Sequence, residues 1–379
     1  MHTRVAEMLD IEFPILAFSH CRDVVAAVTN AGGFGVLGAV AHTPEQLNID
    51  LDWIEEQTKG RPYGVDLLLP SKYTGADEGG LSRQSIAQLL PPGQQSFVDD
   101  ILKRFGVPEL PDGSDSMRGI GQMRVDPRGY EPLLDVAFAH RIGLVASALG
   151  APPEALIERA HQADVKVAAL AGTVVHAERH HAVGVDLIVA QGTEAGGHTG
   201  EISTMVLVPD VVDAVAPTPV LAAGGIASGR QIAAALALGA EGVWCGSVWL
   251  TTDEAETQPT VKEKFLAATS RDTVRSRSLT GKPARMLRSA WTDEWDKPDA
   301  PPPLAMPLQS ALVAEAQIRI SRAAHSGGGA KELANYFVGQ VVGRMNQIKP
   351  ARQVVLDMVT EYVDVVDRFI EQSGTVSKT

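Results

Sequence analysis

Residues 189–200 read Val-Ala-Gln-Gly-Thr-Glu-Ala-Gly-Gly-His-Thr-Gly, and this stretch is the most informative in the chain. The residues that lead into it, Asp186 to Ala190, are mostly apolar, as in a parallel strand buried on both faces. The glycines then let the backbone turn sharply and approach a ligand closely. His198, which lies among them, can exchange a proton near neutral pH. The pattern predicts a strand that ends in a ligand-binding loop, with a tight turn and an incidental solvated histidine as the alternative.

Short apolar runs alternate with helix-like stretches over residues 14–250, which is typical of βαβ units on a parallel sheet. Eight strands are predicted, at Pro14–Phe18, Phe34–Gly38, Tyr63–Leu69, Ile142–Ala146, Val167–Leu170, Asp186–Ala190, Pro219–Ala223 and Gly242–Cys245. Eight strand–helix pairs predict an α/β fold, a TIM (β/α)8 barrel with its active site at the carboxyl ends of the strands. A doubly wound open sheet is the alternative.

Two regions interrupt this alternation. Residues 71–130 form a long insertion after strand 3, with one helical stretch near Gln94–Phe105, and segments of this length are often lids or binding segments. After the barrel, the chain predicts a helical C-terminal appendage with helices at Ala314–Ala323 and Lys331–Met345, then an amphipathic helix at Val354–Ile370. The predicted divisions are a barrel over 1–255, an appendage over 256–345, and a C-terminal helix within 346–379 that packs back on the barrel.

Composition argues against several classes of function. The 379 residues carry a formal net charge of −13, which disfavours nucleic acid or an anionic membrane as the main partner. Two cysteines, Cys21 and Cys245, are too few for a disulfide framework or a four-thiolate metal site, and fit a reducing compartment. We find no signal-peptide pattern and no apolar run near the ~20 residues that a membrane helix needs. The expected location is the cytoplasm.

Glycine-containing turns follow predicted strands seven and eight. The seventh strand leads into Ala222-Ala223-Gly224-Gly225-Ile226, and the eighth ends at Cys245-Gly246-Ser247. Barrels of this kind bind phosphate at these two strand ends through backbone N–H groups and a helix N-terminus. We therefore expect a phosphate site there, with close packing at tight turns as the alternative. The sequence contains neither a P-loop nor a Rossmann glycine fingerprint, so an NTPase or a Rossmann dinucleotide site is not supported.

Further polar side chains follow other predicted strands. Gln191 comes directly after the sixth strand, and its amide suits the edge of a planar heterocycle or a hydrogen bond that stabilises the loop. His20 follows the first strand, and Lys72 and Tyr73 follow the third. All three are candidates for substrate contact because the carboxyl ends of the strands meet at one face.

No metal site is predicted. His20, Cys21 and Asp23 provide too few ligands for zinc. His180 and His181, beside His176 on a predicted helix, are interpreted as a solvated outer face.

The chain resembles the nitronate monooxygenases, formerly called 2-nitropropane dioxygenases. The resemblance is carried by Gln-Gly-x-Glu-Ala-Gly-Gly-His at 191–198, Ala-Ala-Gly-Gly-Ile at 222–226 and Gly-Ser at 246–247. It extends to Ala-Val-Thr-Asn-Ala-Gly-Gly-Phe-Gly-Val-Leu-Gly at 27–38, Thr-Gly-Lys-Pro-Ala-Arg at 280–285 and Gly-Gln at 339–340. It therefore covers most of the chain outside residues 71–130.

The resemblance implies a TIM-barrel flavoprotein that holds FMN without a covalent bond. Gly224, Gly225, Gly246 and Ser247 would hold the phosphate. The other implied cofactor contacts are Ala17, Phe18, Asp66, Gln191, Gly192, Gly197 and Ala223, with Gln191 and Gly192 near the isoalloxazine. His198 would face the substrate as a base or as an anion-holding group.

The chain departs from the family pattern at two places in this site. The family usually has Ala-Pro-Met after strand one, where this chain has Ala17-Phe18-Ser19-His20. It commonly has asparagine on strand three, where this chain has Asp66. A carboxylate beside a flavin would disfavour a negatively charged reduced ring.

The leading expectation is oxidation of alkyl nitronates by FMN and oxygen to a carbonyl compound and nitrite. The second is an FMN-dependent reductase of an enoyl or ring-derived acyl thioester, with NAD(P)H as donor. A flavin-free phosphate-binding isomerase or synthase is the third, and a flavin-binding protein without turnover is disfavoured by His198. Each expects a small-molecule partner and no nucleic acid or membrane, and a homodimer is left open.

Overall fold

The computed structural model describes residues 1–69, 83–111 and 127–374. Its strands are β1 (Ile15–Ser19), β2 (Phe34–Gly38), β3 (Gly64–Leu68), β4 (Leu144–Ala148), β5 (Lys166–Ala171), β6 (Leu187–Gln191), β7 (Gly197–His198), β8 (Val220–Ala223), β9 (Gly242–Cys245), β10 (Thr273–Ser276) and β11 (Ala284–Leu287). Eight of them form a closed parallel barrel in the order β1-β2-β3-β4-β5-β6-β8-β9, and β1 pairs with β9 to close it. The predicted TIM barrel is confirmed, and the alternative prediction of a doubly wound open sheet is wrong.

The barrel strands are covered on both faces, which explains why they read as continuous apolar runs. Alternate residues such as Leu16, Phe34 and Trp244 fill the barrel interior. Their neighbours, such as Ile15 and Ala17, belong to the layer between strands and helices. The observed strands agree with the predicted ones to within about two residues, because burial on both faces leaves little freedom in where a strand lies.

The helices are α1 (Arg4–Met8), α2 (Arg22–Asn30), α3 (Pro44–Thr58), α4 (Arg83–Leu89), α5 (Pro92–Arg104), α6 (Pro127–Ala139), α7 (Glu154–Gln162), α8 (Val174–Ala182), α9 (Thr204–Val215), α10 (Gly229–Ala237), α11 (Pro259–Ala267), α12 (Ala290–Trp295), α13 (Leu308–Ala323), α14 (Gly328–Leu333) and α15 (Ala351–Gln372). Local sequence explains their starts: Thr43 and Gln46 form a capping box at α3. In the described ranges, no helix is long and apolar enough to cross a membrane.

A second apolar core joins the insertion to the appendage. Val98 and Ile101 of α5 belong to the same buried cluster as Trp291 of α12 and Val313 of α13. Arg104 donates to both carboxylate oxygens of Glu294, at 3.1 and 2.6 Å, which ties α5 to α12. Helix α5 of the insertion therefore packs as part of the appendage, although 190 positions separate Arg104 and Glu294 in sequence. The predicted divisions at residues 255 and 345 stay predictions.

The appendage is largely helical, and it also contains an antiparallel sheet in the order β10-β11-β7. The helix predicted over Lys331–Met345 is wrong. Helix α14 ends at Leu333, and the following chain runs beside β11, where the Leu287 N–H donates to the Tyr336 carbonyl at 3.1 Å. Backbone pairing with β11 displaces the helix that local composition favours, and a 3₁₀ turn follows at Gln340–Arg344.

Helix α15 packs closely against α10 and also contacts α2. Val355 and Met358 join the apolar core of the barrel. Glu361 accepts hydrogen bonds from the Gly229 N–H at 2.8 Å and from Arg230 Nε at 2.6 Å. The first residue of α10 is therefore capped by a carboxylate from α15.

A side chain at Gly229 should separate these helices, because a Cβ there would overlap the backbone of Met358 and Tyr362. We expect Gly229→Ala to lower the free energy of unfolding by about 3 kcal/mol, as overpacking of a close contact does. Urea unfolding and limited proteolysis of α15 measure this. Gly93→Ala is the matched control, since a Cβ at Gly93 meets nothing within 4 Å. Equal stability of Gly229→Ala and the parent would contradict the close packing.

Candidate active site

One large cavity lies at the carboxyl ends of the barrel strands, beneath the appendage. Its volume is about 1530 Å³, above the 300–1,000 Å³ common for ligand pockets. The strand ends contribute Phe18, Asp66 and Gln191, and the appendage contributes Thr280 and Phe337. The cavity therefore has a floor made by the barrel and a wall made by residues far along the chain.

Most of the predicted site residues line this cavity. They are Phe18, His20, Asp66, Gln191, Gly197, His198, Ala223, Gly224, Gly225, Gly246 and Ser247. Ala17 and Gly192 do not line it, and Lys72 and Tyr73 lie outside the described residues.

The two exceptions have simple physical reasons. Ala17 alternates with Phe18 along β1, so its side chain is buried in the layer between strands and helices. Gly192 packs against α9, where a Cβ would overlap the backbone and hydroxyl of Thr204. Gly192 thus shapes the turn after β6 without facing the cavity.

The histidine loop, residues 192–200, is anchored on the barrel side by Glu194. Its carboxylate accepts hydrogen bonds from the Thr204 N–H at 3.0 Å and hydroxyl at 2.8 Å. Thr204 is the first residue of α9, so the negative charge also lies at the positive end of that helix.

The appendage holds the other side of the histidine loop. Arg285 Nε donates to the Thr193 carbonyl at 2.8 Å, and the Gln340 N–H donates to the Glu194 carbonyl at 2.9 Å. A Cβ at Gly196 would lie 2.8 Å from the Val338–Gly339 backbone, so only glycine fits there. His198 pairs with Ala284 of β11. The loop is therefore fixed between the two parts of the fold.

His198 is a neutral imidazole at physiological pH. Burial lowers its pKa to about 4, and the nearby charge of Lys282 adds to this effect. Nε2 lies 2.9 Å from the Thr280 hydroxyl. Nδ1 has no protein partner among the described residues, which leaves it available to a ligand.

Asp66 lies in the middle of β3 and is 7% exposed, with its side chain toward the cavity. Among the described residues its carboxyl group has no hydrogen-bond partner, and burial raises its pKa well above the usual range. Burial therefore disfavours the charged carboxylate that the sequence analysis considered at this position. In its protonated form Asp66 donates and accepts, as the amide of asparagine would.

Two histidines near the cavity hydrogen-bond to strand carbonyls. His20 Nδ1 lies 2.8 Å from the Gly38 carbonyl, and the ring lines the cavity. On α8, His176 and His181 are exposed as expected, but His180 is buried, so the interpretation of a solvated face is wrong for His180. Its Nε2 lies 3.0 Å from the Leu170 carbonyl, because this face of α8 packs on β5.

The glycine turns after β8 and β9 present unused backbone donors. Gly224 and Gly225 have φ of +97° and +73°, a conformation that favours glycine. In the described chain, the N–H groups of Gly224, Gly225 and Gly246 donate to no protein acceptor. Glu361 already occupies the N-terminus of α10. The groups available to bind an anion here are therefore these two glycine turns and the 3₁₀ turn that begins at Ser247.

The side chain of Gln231 holds the first glycine turn in place. Its amide nitrogen donates to the Gly225 carbonyl, and its oxygen accepts from the Ala227 N–H at 2.9 Å. The Ser228 hydroxyl donates to the same oxygen at 2.9 Å. The turn is thus formed in advance of any ligand.

A metal site has weak support in this region. Ligand atoms of Cys21, Asp23 and Glu256 lie within 4.8 Å of one another. Burial raises the pKa of the Cys21 thiol, which disfavours the thiolate that binds metals. These groups remain one ligand short of the usual four for zinc.

Sequence reasoning missed the cavity residues that the appendage supplies, chiefly Thr280, Lys282, Tyr336 and Phe337. Thr280 and Lys282 lie in the Thr-Gly-Lys-Pro-Ala-Arg segment already singled out by its family resemblance. That segment was the available signal, but its position beside His198 depends on the pairing of β11 with β7.

Comparison with known proteins identifies the family. The model of the nitronate monooxygenase family matches residues 2–361. The chain belongs to the nitronate monooxygenase family. It is 70% identical over 367 residues to a Mycobacterium tuberculosis protein named provisionally as a monooxygenase, covering 97% of this chain and 98% of that protein. Members of this family are flavin-dependent oxidoreductases, and this chain is an enzyme of that type.

Two solved structures support the same fold. Nitroalkane oxidase from Streptomyces ansochromogenes is 27% identical with a TM-score of 0.79, covering 96% of this chain and 99% of that chain. FabK from Thermotoga maritima is also 27% identical, with a TM-score of 0.72 and coverage of 98% and 99%. Both likenesses extend over the barrel and the appendage together.

Replacement of Asp66 by asparagine should stabilise the protein in a pH-dependent way. In the unfolded chain Asp66 ionises near pH ~4, whereas burial keeps it protonated to higher pH in the folded chain. Ionisation of the unfolded state therefore costs stability that grows as pH rises above ~4. We expect the stabilisation by Asp66→Asn to be larger at pH 7.5 than at pH 4 in urea unfolding.

Asp99→Asn on the exposed surface of α5 is the control for this measurement. It should change stability by a similar small amount at both pH values. A gain for Asp66→Asn that shrinks as pH rises would contradict a raised pKa of Asp66.

Proposed function

We propose that this protein is an FMN-dependent nitronate monooxygenase that oxidises alkyl nitronates with oxygen to a carbonyl compound and nitrite. The observation that carries the proposal is a neutral imidazole, His198, on the same cavity as a preformed set of free backbone donors at Gly224, Gly225 and Gly246. Family membership across residues 2–361 supports the same reaction class.

The residues present fit FMN. The N–H groups of Gly224, Gly225 and Gly246 would bind its phosphate, and the Ser247 hydroxyl can add a donor, since it accepts from the Gly339 N–H at 2.8 Å. Gln191 and Asp66 would hydrogen-bond to the polar edges of the isoalloxazine, because both side chains face the cavity and have no hydrogen-bond partner within the described part of the chain. Phe18 and Trp244, whose rings stack 6.3 Å apart, supply apolar surface.

The flavin, when bound, accepts electrons from the substrate and passes them to oxygen. The protein supplies position and a proton site. His198 is held by the Thr280 hydroxyl and by β11, so its ring has one orientation relative to the cavity. An imidazole with a pKa of about 4 is a weak base for removing a proton from carbon. This favours a substrate that arrives already as an anion, as a nitronate does.

A second candidate function is an FMN-dependent, NAD(P)H-driven reductase of an enoyl or ring-derived acyl thioester. A cavity of about 1530 Å³ leaves room for more than a flavin and a small nitronate, which favours this candidate. The likeness to FabK is compatible with either reading. The homodimer and the cytoplasmic location stay predictions.

Anaerobic addition of an alkyl nitronate to the yellow protein tests the proposal. We expect the absorbance of the bound flavin to change to that of a reduced form, and His198→Ala to stay yellow while its reduction slows about 10- to 100-fold, as loss of a hydrogen bond to a charged substrate does. Flavin content of the two proteins, measured after denaturation, is the control.

Other results of this experiment are decisive as well. A yellow protein that NAD(P)H reduces and nitronate does not would favour the acyl thioester reductase. A colourless protein that takes up no FMN would rule out both the nitronate monooxygenase and the acyl thioester reductase. Full activity of His198→Ala would remove the role of His198 alone.

Substitution of Gly225 tests the phosphate site. We expect Gly225→Asp to lose FMN much more readily than Gly225→Asn, because the two side chains match in size and share the strain of φ +73°, and only aspartate repels phosphate. Equilibrium dialysis of FMN measures the difference. Equal FMN affinity in the two variants would contradict phosphate binding at this turn.

A further inference from the structure

Lys282 places a cation in the wall of the cavity. It is half-buried in the turn between β10 and β11, and it lines the cavity. In the described ranges, no carboxylate lies within 4.0 Å of its ammonium group and no hydrogen bond to that group is formed. An ammonium group partly removed from water is stabilised by a ligand that compensates its charge.

Lys264 shows how the same fold satisfies a comparable lysine. It is also partly buried, and its ammonium donates to the carbonyls of Ala334 at 2.6 Å and Glu332 at 3.2 Å. Lys282 has no such carbonyl partners among the described residues. The ammonium group of Lys282 is therefore available to a ligand in the cavity.

Lys282 lies on the same side of the cavity as His198. The Thr280 hydroxyl accepts a hydrogen bond from the backbone N–H of Lys282 at 3.3 Å. The same hydroxyl lies 2.9 Å from His198 Nε2. Two residues further along, Ala284 is in register with His198. The charge on Lys282 is close enough to lower the pKa of His198, although burial of His198 has the larger effect.

Three carboxyl groups among the described residues line the cavity, those of Asp50, Asp66 and Glu256, and none lies within 4.0 Å of the Lys282 ammonium group. Burial disfavours the charged form of Asp66. Asp50 is occupied by Arg22 Nη1 at 2.9 Å and by His42 Nε2 at 3.0 Å. The protein as a whole carries a net charge of −13, so an anionic ligand needs a local cation to enter and stay.

We propose that Lys282 is the anion-binding residue of the site, which holds the oxygens of a small oxyanion beside the uncharged ring of His198. The lysine supplies the charge, and the imidazole supplies hydrogen bonding and the proton site. The identity of the oxyanion as a nitronate rests on the proposed function, whereas binding of a small oxyanion does not.

Nitrite binding to the oxidised, FMN-loaded protein tests this assignment. We expect Lys282→Gln to raise the dissociation constant of nitrite about 10- to 100-fold, as loss of a charge-assisted hydrogen bond does. Lys282→Arg should stay within a few-fold of the parent. The flavin difference spectrum reports binding, and NMR line broadening of isotope-labelled nitrite reports it without the flavin.

Lys166→Gln is the matched control, since Lys166 begins β5 at the opposite end of the barrel and carries the same charge. It should bind nitrite as the parent does. Unchanged nitrite affinity in Lys282→Gln, or an equal loss in Lys166→Gln, would overturn the assignment.

The same variants separate this inference from the proposed function. Lys282-dependent nitrite binding in a protein that nitronate cannot reduce would keep the anion site and remove the monooxygenase. Nitronate turnover with an unchanged KM and unchanged nitrite affinity in Lys282→Gln would keep the monooxygenase function and remove the anion site at Lys282.

Discussion

The position of the catalytic candidate depends on one anchored residue, Glu194. Its side chain caps α9 of the barrel through Thr204, and its carbonyl accepts the Gln340 N–H from the appendage. A single residue thus joins the two halves of the fold four positions before His198. The glycines on either side follow from this constraint, because the loop has backbone within contact distance on both faces.

Burial determines the chemistry of the cavity more than the choice of residues does. Burial lowers the pKa of His198 and raises the pKa of Asp66, because in both cases it disfavours the charged form. The cavity thus favours the neutral forms of both side chains. A protonated aspartate in place of the family's asparagine offers a donor and an acceptor at that position, as asparagine does.

The barrel and the strand-end residues were predictable from sequence because strands covered on both faces are apolar throughout, and their ends converge in this fold. Phe18, Asp66 and Gln191 reach the cavity for that reason. Thr280 and Lys282 were not predicted as site residues, since β11 reaches His198 by a pairing over more than 80 positions that local sequence does not encode. The helix predicted over Lys331–Met345 is wrong for a related reason, because the backbone at Tyr336 hydrogen-bonds to the edge of β11.

The two-residue strand β7 has an implication for how the chain matures. All eight barrel strands are complete by Cys245, but in the described structure β7 pairs with β11 alone, which begins at Ala284, and its loop is held by residues up to Gln340. A ribosome delivers the amino-terminal part first. The barrel strands are therefore made before the partners that orient His198, and a nascent or prematurely ended chain holds the barrel segments without an oriented His198.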